Sequence, residues 1–336
     1  LNGRDWIALS LLQPGVAPNA AQNSNDLSRA QRGNGTALYI SGGRHTDNAF
    51  RIDGVSVNDY ANGGPGSALR VNMGVDAIRE FSVLTNSYSA EYGRGAGGVV
   101  NAITKSGTNE IHGGAYYFHR NSFWDARNFF ANTVPPFRRH QYGGYIGGPI
   151  VKDKTFYFAN YERLSEMRSL TANDPTLSAD AQRGLLCDNS ACTSKTQVPI
   201  SPLSAPFITL FPLPTSPTRT DTGIFVFLPK RDGKETYITS KMDHYFSTNT
   251  TFFMSYTWDD TYVSSPDNYN QKDTFSLSTR QYAVVSLQHL FSPTLINNVR
   301  TGVTRFIGGN AIDGNPHDPR ITDPNYTFVP GGKIGT

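Results

Sequence analysis

The chain has 336 residues, of which only 17 % are charged, and it contains 32 Gly, 17 Tyr and 20 Phe. This composition favours strands and turns over helices, and the length leaves room for two domains. The net charge is +3 and the 30 basic residues are spread along the chain, without the basic patch of a nucleic-acid-binding protein. No run of about 18 apolar residues is present, which excludes a transmembrane helix but not a membrane barrel, whose strands give a weaker signal.

Residues 1–108 are predicted to form a small domain that mixes short strands with a helical turn. Apolar and β-branched runs bounded by turn-forming residues predict strands at 37–41, 49–53, 81–84 and 98–104, with a helical turn within 75–80. A polar stretch that begins at Lys105 ends the last of these strands. We therefore expect a small α+β unit that ends near residue 108.

Beyond residue 109 the chain changes to long strands in which apolar and polar residues alternate. Strands are predicted at 142–150, 155–161, 251–259, 282–291 and 299–307, and we count about seven in all. In 251–259, Met254 and Tyr256 share one face while Ser255 and Thr257 share the other. Residues 151–154 and 292–294 are tight turns, whereas the other connections are long. The connection from 170 to about 233 is too long for an ordinary loop.

Two architectures fit this alternation equally well. Outer-membrane barrels join their strands by short periplasmic turns and long external loops. A soluble β-sandwich, such as a carbohydrate-binding module, has half-buried strands of the same period. A barrel would point the apolar faces of 251–259 and 282–291 outward in a common band, whereas a sandwich would pack them inward against each other.

The two cysteines, Cys187 and Cys192, lie in the long connection. Their spacing favours a disulfide in an oxidising compartment, whereas in the cytosol they would be two thiols. No His or further Cys stands at zinc-ligand spacing beside them. His112 and His119 are seven apart on a predicted strand and would point to opposite faces, so we predict no metal site.

Two segments resemble the signature stretches of the plug domain of TonB-dependent receptors. They are DNAFRIDGVSVN at 47–58 and SAEYGRGAGGVVNAITK at 89–105. The opening LNGRD, together with residues 104–109, 142–149 and 156–162, is similar to the Oar-like subgroup, so the resemblance covers essentially the whole chain. The Arg-Gly-Pro that the wider family carries before the second stretch is replaced here by Thr85, Asn86 and Ser87, which fits the subgroup.

The resemblance implies a mainly β protein with two parts. A plug domain at 1–108 would be followed, at 109–336, by the N-terminal part of an antiparallel transmembrane β-barrel with about seven strands and a long external loop around 170–233. Because plugged transporters have 22 strands, we expect a fragment with an incomplete barrel. We also expect it to lack the signal peptide, the regulatory-like domain and the TonB box of its relatives.

The resemblance also assigns roles to individual residues. The plug motif, with a structural or coupling role, comprises Asp53, Gly54, Tyr92, Gly93, Gly97, Gly98, Asn101 and Lys105. Candidate contacts between plug and barrel are Arg44, Glu91 and Arg94, and a candidate substrate-facing plug loop contains Asp59, Tyr60 and Asn62. Solvated surface charge and a plain mobile loop are the alternatives for these last two groups.

The spacing of Gly93, Gly95 and Gly98 also satisfies GxGxxG, the fingerprint of dinucleotide-binding proteins. That fingerprint needs a following helix to receive the pyrophosphate, and here a β-branched run follows. We predict instead that these glycines provide positive φ angles and close backbone approach where the plug turns against the barrel wall.

By resemblance, the protein binds a substrate at the surface of a Gram-negative bacterium and imports it across the outer membrane with energy from TonB. The expected partners are TonB with its inner-membrane complex, outer-membrane lipid and an unidentified substrate, but not nucleic acid. Import breaks no covalent bond, so we expect no catalytic residues and no cofactor. The alternative on the same scaffold is an adhesion or structural protein whose plug never moves.

Overall fold

The computed structural model describes residues 4–18, 37–59, 62–69, 71–93, 95–127, 134–169, 171–216 and 218–312, with residues 317 and 320. These residues form a small strand-and-turn domain, a large antiparallel sheet and an excursion between two strands of that sheet. No helix in the described ranges is long and apolar enough to cross a membrane.

The small domain is built around a four-stranded sheet. Its strands are β1 (Val16–Pro18), β2 (Leu38–Ile40), β3 (Ala49–Ile52), β4 (Val55–Ser56), β5 (Ile78–Leu84) and β6 (Val99–Thr104). The sheet has the order β4-β3-β6-β5, in which β3 and β6 are parallel, while β1 and β2 form a separate pair. The predicted strands of this region are therefore present, and none of them is displaced by more than three residues at either end.

Short 3₁₀ turns supply the helical part of the small domain. They are Ile7–Leu12, His45–Asp47, Val75–Ala77 and Ala90–Tyr92. The predicted helical turn within 75–80 is the third of these, although Ile78 already belongs to β5. The core of the domain packs Ile7 and Ile40 against Phe50 and Val100, all of which are at most 1 % exposed.

The large sheet has seven antiparallel strands, as the sequence predicts. They are β7 (His112–Asn121), β8 (Phe137–Val151), β9 (Thr155–Ser169), β14 (Lys230–Ser247), β15 (Thr250–Pro266), β16 (Asp273–Ser292) and β17 (Leu295–Ile312). Their order is β17-β16-β15-β14-β9-β8-β7, so the described sheet is open, with β7 and β17 at its edges. All seven reach the length of about 9 to 11 residues that a tilted strand needs to span a bilayer.

The large sheet turns its polar face toward the small domain and its apolar face outward. Ser255 and Thr257 are buried, whereas Met254 and Tyr256 are 44 % and 39 % exposed. The outward residues of neighbouring strands stand side by side, since Met254 pairs with Val285. This is the arrangement of a barrel, and the soluble β-sandwich alternative is wrong because the apolar faces do not pack against each other.

The excursion between β9 and β14 folds into a unit of its own. It contains β10 (Ala172–Leu177), α1 (Ala179–Gln182), β11 (Leu185–Cys187), β12 (Lys195–Gln197), α2 (Ala205–Ile208) and β13 (Thr222–Phe227). Strand β10 pairs with β13, and β11 pairs with β12, while a disulfide joins Cys187 to Cys192. The predicted end of this connection at 233 is too late, because residues from Lys230 onward already pair with β9.

Candidate functional site

The turn between β3 and β4 is where the small domain bonds to the wall of the large sheet. Both of its residues have left-handed backbone angles, with φ of 50° at Asp53 and 84° at Gly54. The Asp53 carboxylate accepts hydrogen bonds from the Thr104 amide at 3.0 Å, the Thr104 hydroxyl at 2.7 Å and the Ser255 hydroxyl at 2.9 Å. Its Oδ1 also lies 3.8 Å from Lys241 Nζ. One buried carboxylate thus joins β6 to two strands of the wall.

Gly54 allows this turn to approach the wall closely. A side chain at position 54 would overlap the guanidinium of Arg300 on β17. Beside the turn lies a cavity of about 220 Å³, lined by charged and polar groups from both bodies: Arg51, Asp53, Glu91, Asn101, Lys241 and Arg300. The signature Asp-Gly pair therefore lies at a polar junction between the small domain and the wall.

A second contact with the wall comes from residues 67–69 and 71–77, which were not among the predicted plug contacts. The Ser67 hydroxyl donates to Glu235 Oε2 at 2.5 Å, and the Gly74 amide donates to Glu162 Oε2 at 2.9 Å. Gly74 has a φ of 90°, and a side chain there would strike the ring of Tyr237. The one signal in the sequence was the alternation of Leu69, Val71 and Met73 with polar residues, a strand-like period, although these three residues lie outside any strand of the structure.

Apolar side chains pack between the same segment and the wall. The cluster contains Ala68, Leu69, Val71, Met73 and Ala77 from the small domain, with Phe158, Leu164, Tyr237 and Val263 from the large sheet. Because buried apolar area stabilises contacts by roughly 25 cal/mol per Å², this patch adds to the hydrogen bonds that hold the segment against the wall.

The first described residues are also fixed to the wall. Arg4 forms ion pairs with Asp76 and with Glu162, and its guanidinium lies 4.1 Å from the centre of the Tyr116 ring. Asp5 accepts a hydrogen bond from the Asn72 side chain at 3.1 Å. The N-terminal segment thus reinforces the contact made by residues 67–77.

The wall beneath this contact carries buried charges. Glu162 and Glu235 are fully buried, and Arg280 and Asp259 are 2 % and 7 % exposed. Among the described residues, Glu235 Oε1, Asp259 Oδ1 and Arg280 Nε have no hydrogen-bond partner. The face of the wall that meets the plug segment is therefore polar, and its carboxylates Glu235 and Glu162 accept the hydrogen bonds from Ser67 and Gly74.

Of the remaining motif residues, one contacts the large sheet and the others contact the small domain or line the cavity. Lys105 reaches the wall, where its ammonium lies 4.8 Å from the centre of the Tyr145 ring. The ring of Tyr92 stacks under Arg51 at 5.1 Å, within the small domain. Asn101 is half-buried and lines the cavity.

The glycines of the second motif differ from the prediction. None of Gly93, Gly95, Gly97 and Gly98 has a positive φ. Gly97 and Gly98 are buried against the small domain itself, because the Gly98 amide donates to Asn48 Oδ1 at 2.9 Å. Gly93 is exposed. The prediction that these glycines turn the chain against the barrel wall is therefore wrong, since they allow close approach between segments within the small domain.

The other predicted contacts are placed as follows. Arg44 and Glu91 are exposed, and Glu91 stands at the cavity. Asn62 is exposed with a φ of 59°, while the Asp59 carboxylate is buried and accepts the Gly63 amide at 2.7 Å. Arg94 and Tyr60 lie outside the described residues, and a substrate-facing role for this loop stays a prediction.

Comparison with known proteins identifies both bodies. Residues 103–333 match the family model of an outer membrane beta barrel domain, and residues 8–100 match that of the TonB-dependent receptor plug domain. The chain therefore belongs to the outer-membrane β-barrel family and carries a TonB-dependent receptor plug in front of the barrel strands. The protein is located in the outer membrane of a Gram-negative bacterium.

The relatives narrow the resemblance further. The chain is 29 % identical over 191 residues to the TonB-dependent transporter Oar of Myxococcus xanthus, across 50 % of this chain and 15 % of that protein. It is 32 % identical over 160 residues to the probable TonB-dependent siderophore receptor PirA of Acinetobacter baumannii, across 45 % of this chain and 19 % of that protein. The predicted Oar-like resemblance is confirmed, and the chain spans less than a fifth of either relative.

A solved structure supports the fold alone. The outer membrane transporter YddB from Escherichia coli superimposes with a TM-score of 0.57 at 13 % sequence identity. The match covers 90 % of this chain and 36 % of YddB. We refer below to the small domain as the plug and to the large sheet as the barrel wall.

Proposed function

We propose that the full protein imports a substrate across the outer membrane with energy from TonB. The observation that carries this proposal is the bonding of the plug at Asp53, where a hydrogen-bonded carboxylate joins β6 to Ser255 and Lys241 of the wall. The relatives support it, since one is named a transporter and the other a receptor. Substrate would bind between the external loops and the plug, and TonB would pull on the plug from the periplasm.

The contacts favour a plug that can be remodelled. Each hydrogen bond at Asp53 contributes about 0.5 to 3 kcal/mol, depending on whether the partner is charged. The buried carboxylates and Arg280 of the wall keep the surroundings polar. Water can therefore replace the plug's polar groups locally, and elements that move are drawn from such weakly held regions. A plug with a purely apolar interface would resist this replacement.

The candidate substrate-facing loop contains Asp59, Tyr60 and Asn62. Asn62 is the exposed residue of this group, and the left-handed angles there turn the chain sharply toward Gly63. Asp59 has a supporting role in the proposal, because its buried carboxylate fixes the turn through the Gly63 amide. The substrate itself would be selected by this loop together with the external loops of the barrel.

The first test is outer-membrane fractionation of the full-length protein, combined with capture by the periplasmic domain of TonB and a porin as the control. Recovery in the outer membrane with TonB bound is the expected result. Recovery in the membrane without TonB binding would favour the adhesion or structural alternative.

The second test asks whether the plug moves in cells. Ala102, in the middle of β6, is fully buried, so a cysteine introduced by Ala102→Cys reacts with a thiol reagent only when the plug opens. We expect labelling in cells that express TonB and none in cells that lack it. The matched control is Ser82→Cys, at an exposed position on the plug, which should react in both. Equal labelling of Ala102→Cys in both strains would contradict the transport proposal.

A further inference from the structure

The barrel wall contains a short sequence repeat whose two copies have the same structure. His-x-Phe-Ser occurs at residues 244–247, at the end of β14, and again at residues 289–292, at the end of β16. A two-residue turn follows each copy. In both copies the strand register shifts at the Phe, between Tyr245 and Ser247 in the first and between Leu290 and Ser292 in the second.

The side chains of the two copies make equivalent contacts. His244 Nδ1 lies 2.8 Å from the hydroxyl of Thr155, and His289 Nδ1 lies 2.8 Å from that of Thr250. Each imidazole packs edge-on against the Phe two residues later, with ring centres 4.4 Å apart in the first copy and 4.3 Å in the second. Each Thr follows the preceding tight turn directly.

The backbone is arranged in the same way. The Tyr245 amide donates to the Lys154 carbonyl at 2.8 Å, and the Leu290 amide donates to the Asn249 carbonyl at 2.8 Å. Both carbonyls belong to the turn that precedes the Thr. A bulge re-aims side chains where it interrupts a ladder, and here Phe246 is 64 % exposed and Phe291 is 62 % exposed.

Both copies lie on the outward face of the wall, at its periplasmic rim. His244 pairs with Phe252, and Phe252 pairs with the exposed Leu287, so the histidine belongs to the apolar outward band. The short turns of an outer-membrane barrel lie on the periplasmic side. Each His stands four residues before the first residue of its own turn, and the two are therefore at equivalent depth.

The chemistry of each copy suits the interface between lipid tails and headgroups. The Thr hydroxyl occupies Nδ1, and within the described residues neither Nε2 atom has a protein hydrogen-bond partner. A ring with an apolar face and a polar tip is stable where one side is lipid and the other is wet. Nε2 is left to donate a hydrogen bond to the phosphate or ester oxygens of a lipid.

The charge around the first copy favours an anionic headgroup. Lys152 and Lys154 are exposed in the adjacent turn, while the Asp153 carboxylate accepts the side-chain amide of Asn109 at 2.5 Å. Asp153 is thus hydrogen-bonded to a residue that follows the plug, and the ammonium groups of Lys152 and Lys154 remain exposed at the rim.

We propose that the two His-x-Phe-Ser units are docking points for the phosphate headgroups of phospholipids in the periplasmic leaflet. The exposed Phe anchors the unit among the acyl chains, and the imidazole, held by its Thr, binds the headgroup. The repeat of one geometry on two strands supports a function at the rim beyond closing a turn, because the turn between β8 and β9 closes without a His-x-Phe-Ser unit.

The test measures lipid binding to the purified full-length protein by native mass spectrometry, with dioleoyl phosphatidylglycerol as the probe. Replacing both histidines in the double variant His244→Phe, His289→Phe keeps the rings and removes the hydrogen bonds. We expect the dissociation constant at each docking point to rise about tenfold, as the loss of one hydrogen bond to a charged phosphate implies. The double variant to Gln, which can bond the Thr and still donate outward, should remain within about threefold of the parent protein.

A matched control and a stability measurement separate binding from folding. His140→Phe changes an outward histidine at the opposite end of the strands, where Nδ1 meets the Tyr117 hydroxyl at 2.6 Å, and it should leave lipid binding unchanged. In lipid-free detergent, the double Phe variant should have the same melting temperature as the parent protein. Once the lipid is added, its melting temperature should be lower than that of the parent protein. Unchanged lipid binding, equal destabilisation with and without lipid, or displacement of the lipid by inorganic phosphate would overturn the proposal.

Discussion

Replacing Asp53 by Ala should loosen the plug from the barrel wall. The substitution removes the acceptor of the hydrogen bonds from Thr104 and Ser255, and it leaves the buried ammonium of Lys241 without its carboxylate. Breaking a buried ion pair by removing one partner costs about 3 to 5 kcal/mol. We take the lower end, about 3 kcal/mol, because Lys241 keeps a hydrogen bond to the Thr104 carbonyl.

This loss should appear in hydrogen exchange, since 1.4 kcal/mol corresponds to a factor of ten. Amides of β6 should exchange roughly a hundredfold faster than in the parent protein, measured by mass spectrometry on the peptide that contains Thr104. Asp53→Asn keeps the left-handed turn and part of the hydrogen bonding, and it should have an intermediate effect. Glu80→Ala, at an exposed plug acid, is the control. Exchange in Asp53→Ala within about threefold of the parent would refute the reasoning.

Three further outcomes follow from single contacts. Gly74→Ala should accelerate exchange of the plug amides at 71–77, because position 74 has a φ of 90° and adjoins the Tyr237 ring; unaltered exchange there would contradict this account. Cys187→Ser removes the disulfide and should destabilise the segment 185–197 by about 2 kcal/mol, since the loop is no longer closed. Limited proteolysis should therefore cleave this segment faster than in the parent protein. The hydrogen bond from Lys195 lowers the pKa of Asp180 below its usual value. The stabilising effect of this hydrogen bond on the excursion between β9 and β14 is therefore present above about pH 4 and is lost as the pH falls through the lower folded pKa. Asp180→Asn should abolish that loss in the same proteolysis assay, and a persistent pH dependence would count against the ion pair.

The strands of the wall were predictable because their alternation is set by their surroundings. One face meets lipid and the other meets the polar surface of the plug, where Ser255 bonds to Asp53, so Met254 and Ser255 differ in polarity. Their true ends were not predictable, since the outer residues of β16 and β17 are held by pairing with a neighbouring strand rather than by their own pattern.

The candidate site was predicted in part. Asp53 and Lys105 of the plug motif reach the wall, although contact with the wall was predicted for Arg44, Glu91 and Arg94, and the structural or coupling role of the motif stays a prediction. Ser67 and Gly74 were missed, because the short alternation of Leu69, Val71 and Met73 does not become a strand. A local pattern also does not indicate which groups of an irregular segment meet another domain.

The sequence by itself determined the class of the protein through the resemblance of its two plug motifs, which decided between the barrel and the sandwich that the alternation had left open. Only the tertiary structure decided which residues join the plug to the wall, since the bond between Asp53 and Ser255 links positions 202 residues apart. It likewise decided that the second group of glycines packs within the plug. Contacts between the plug and the wall depend on how two folded surfaces meet, and the local sequence of one surface does not indicate which residues lie opposite to it.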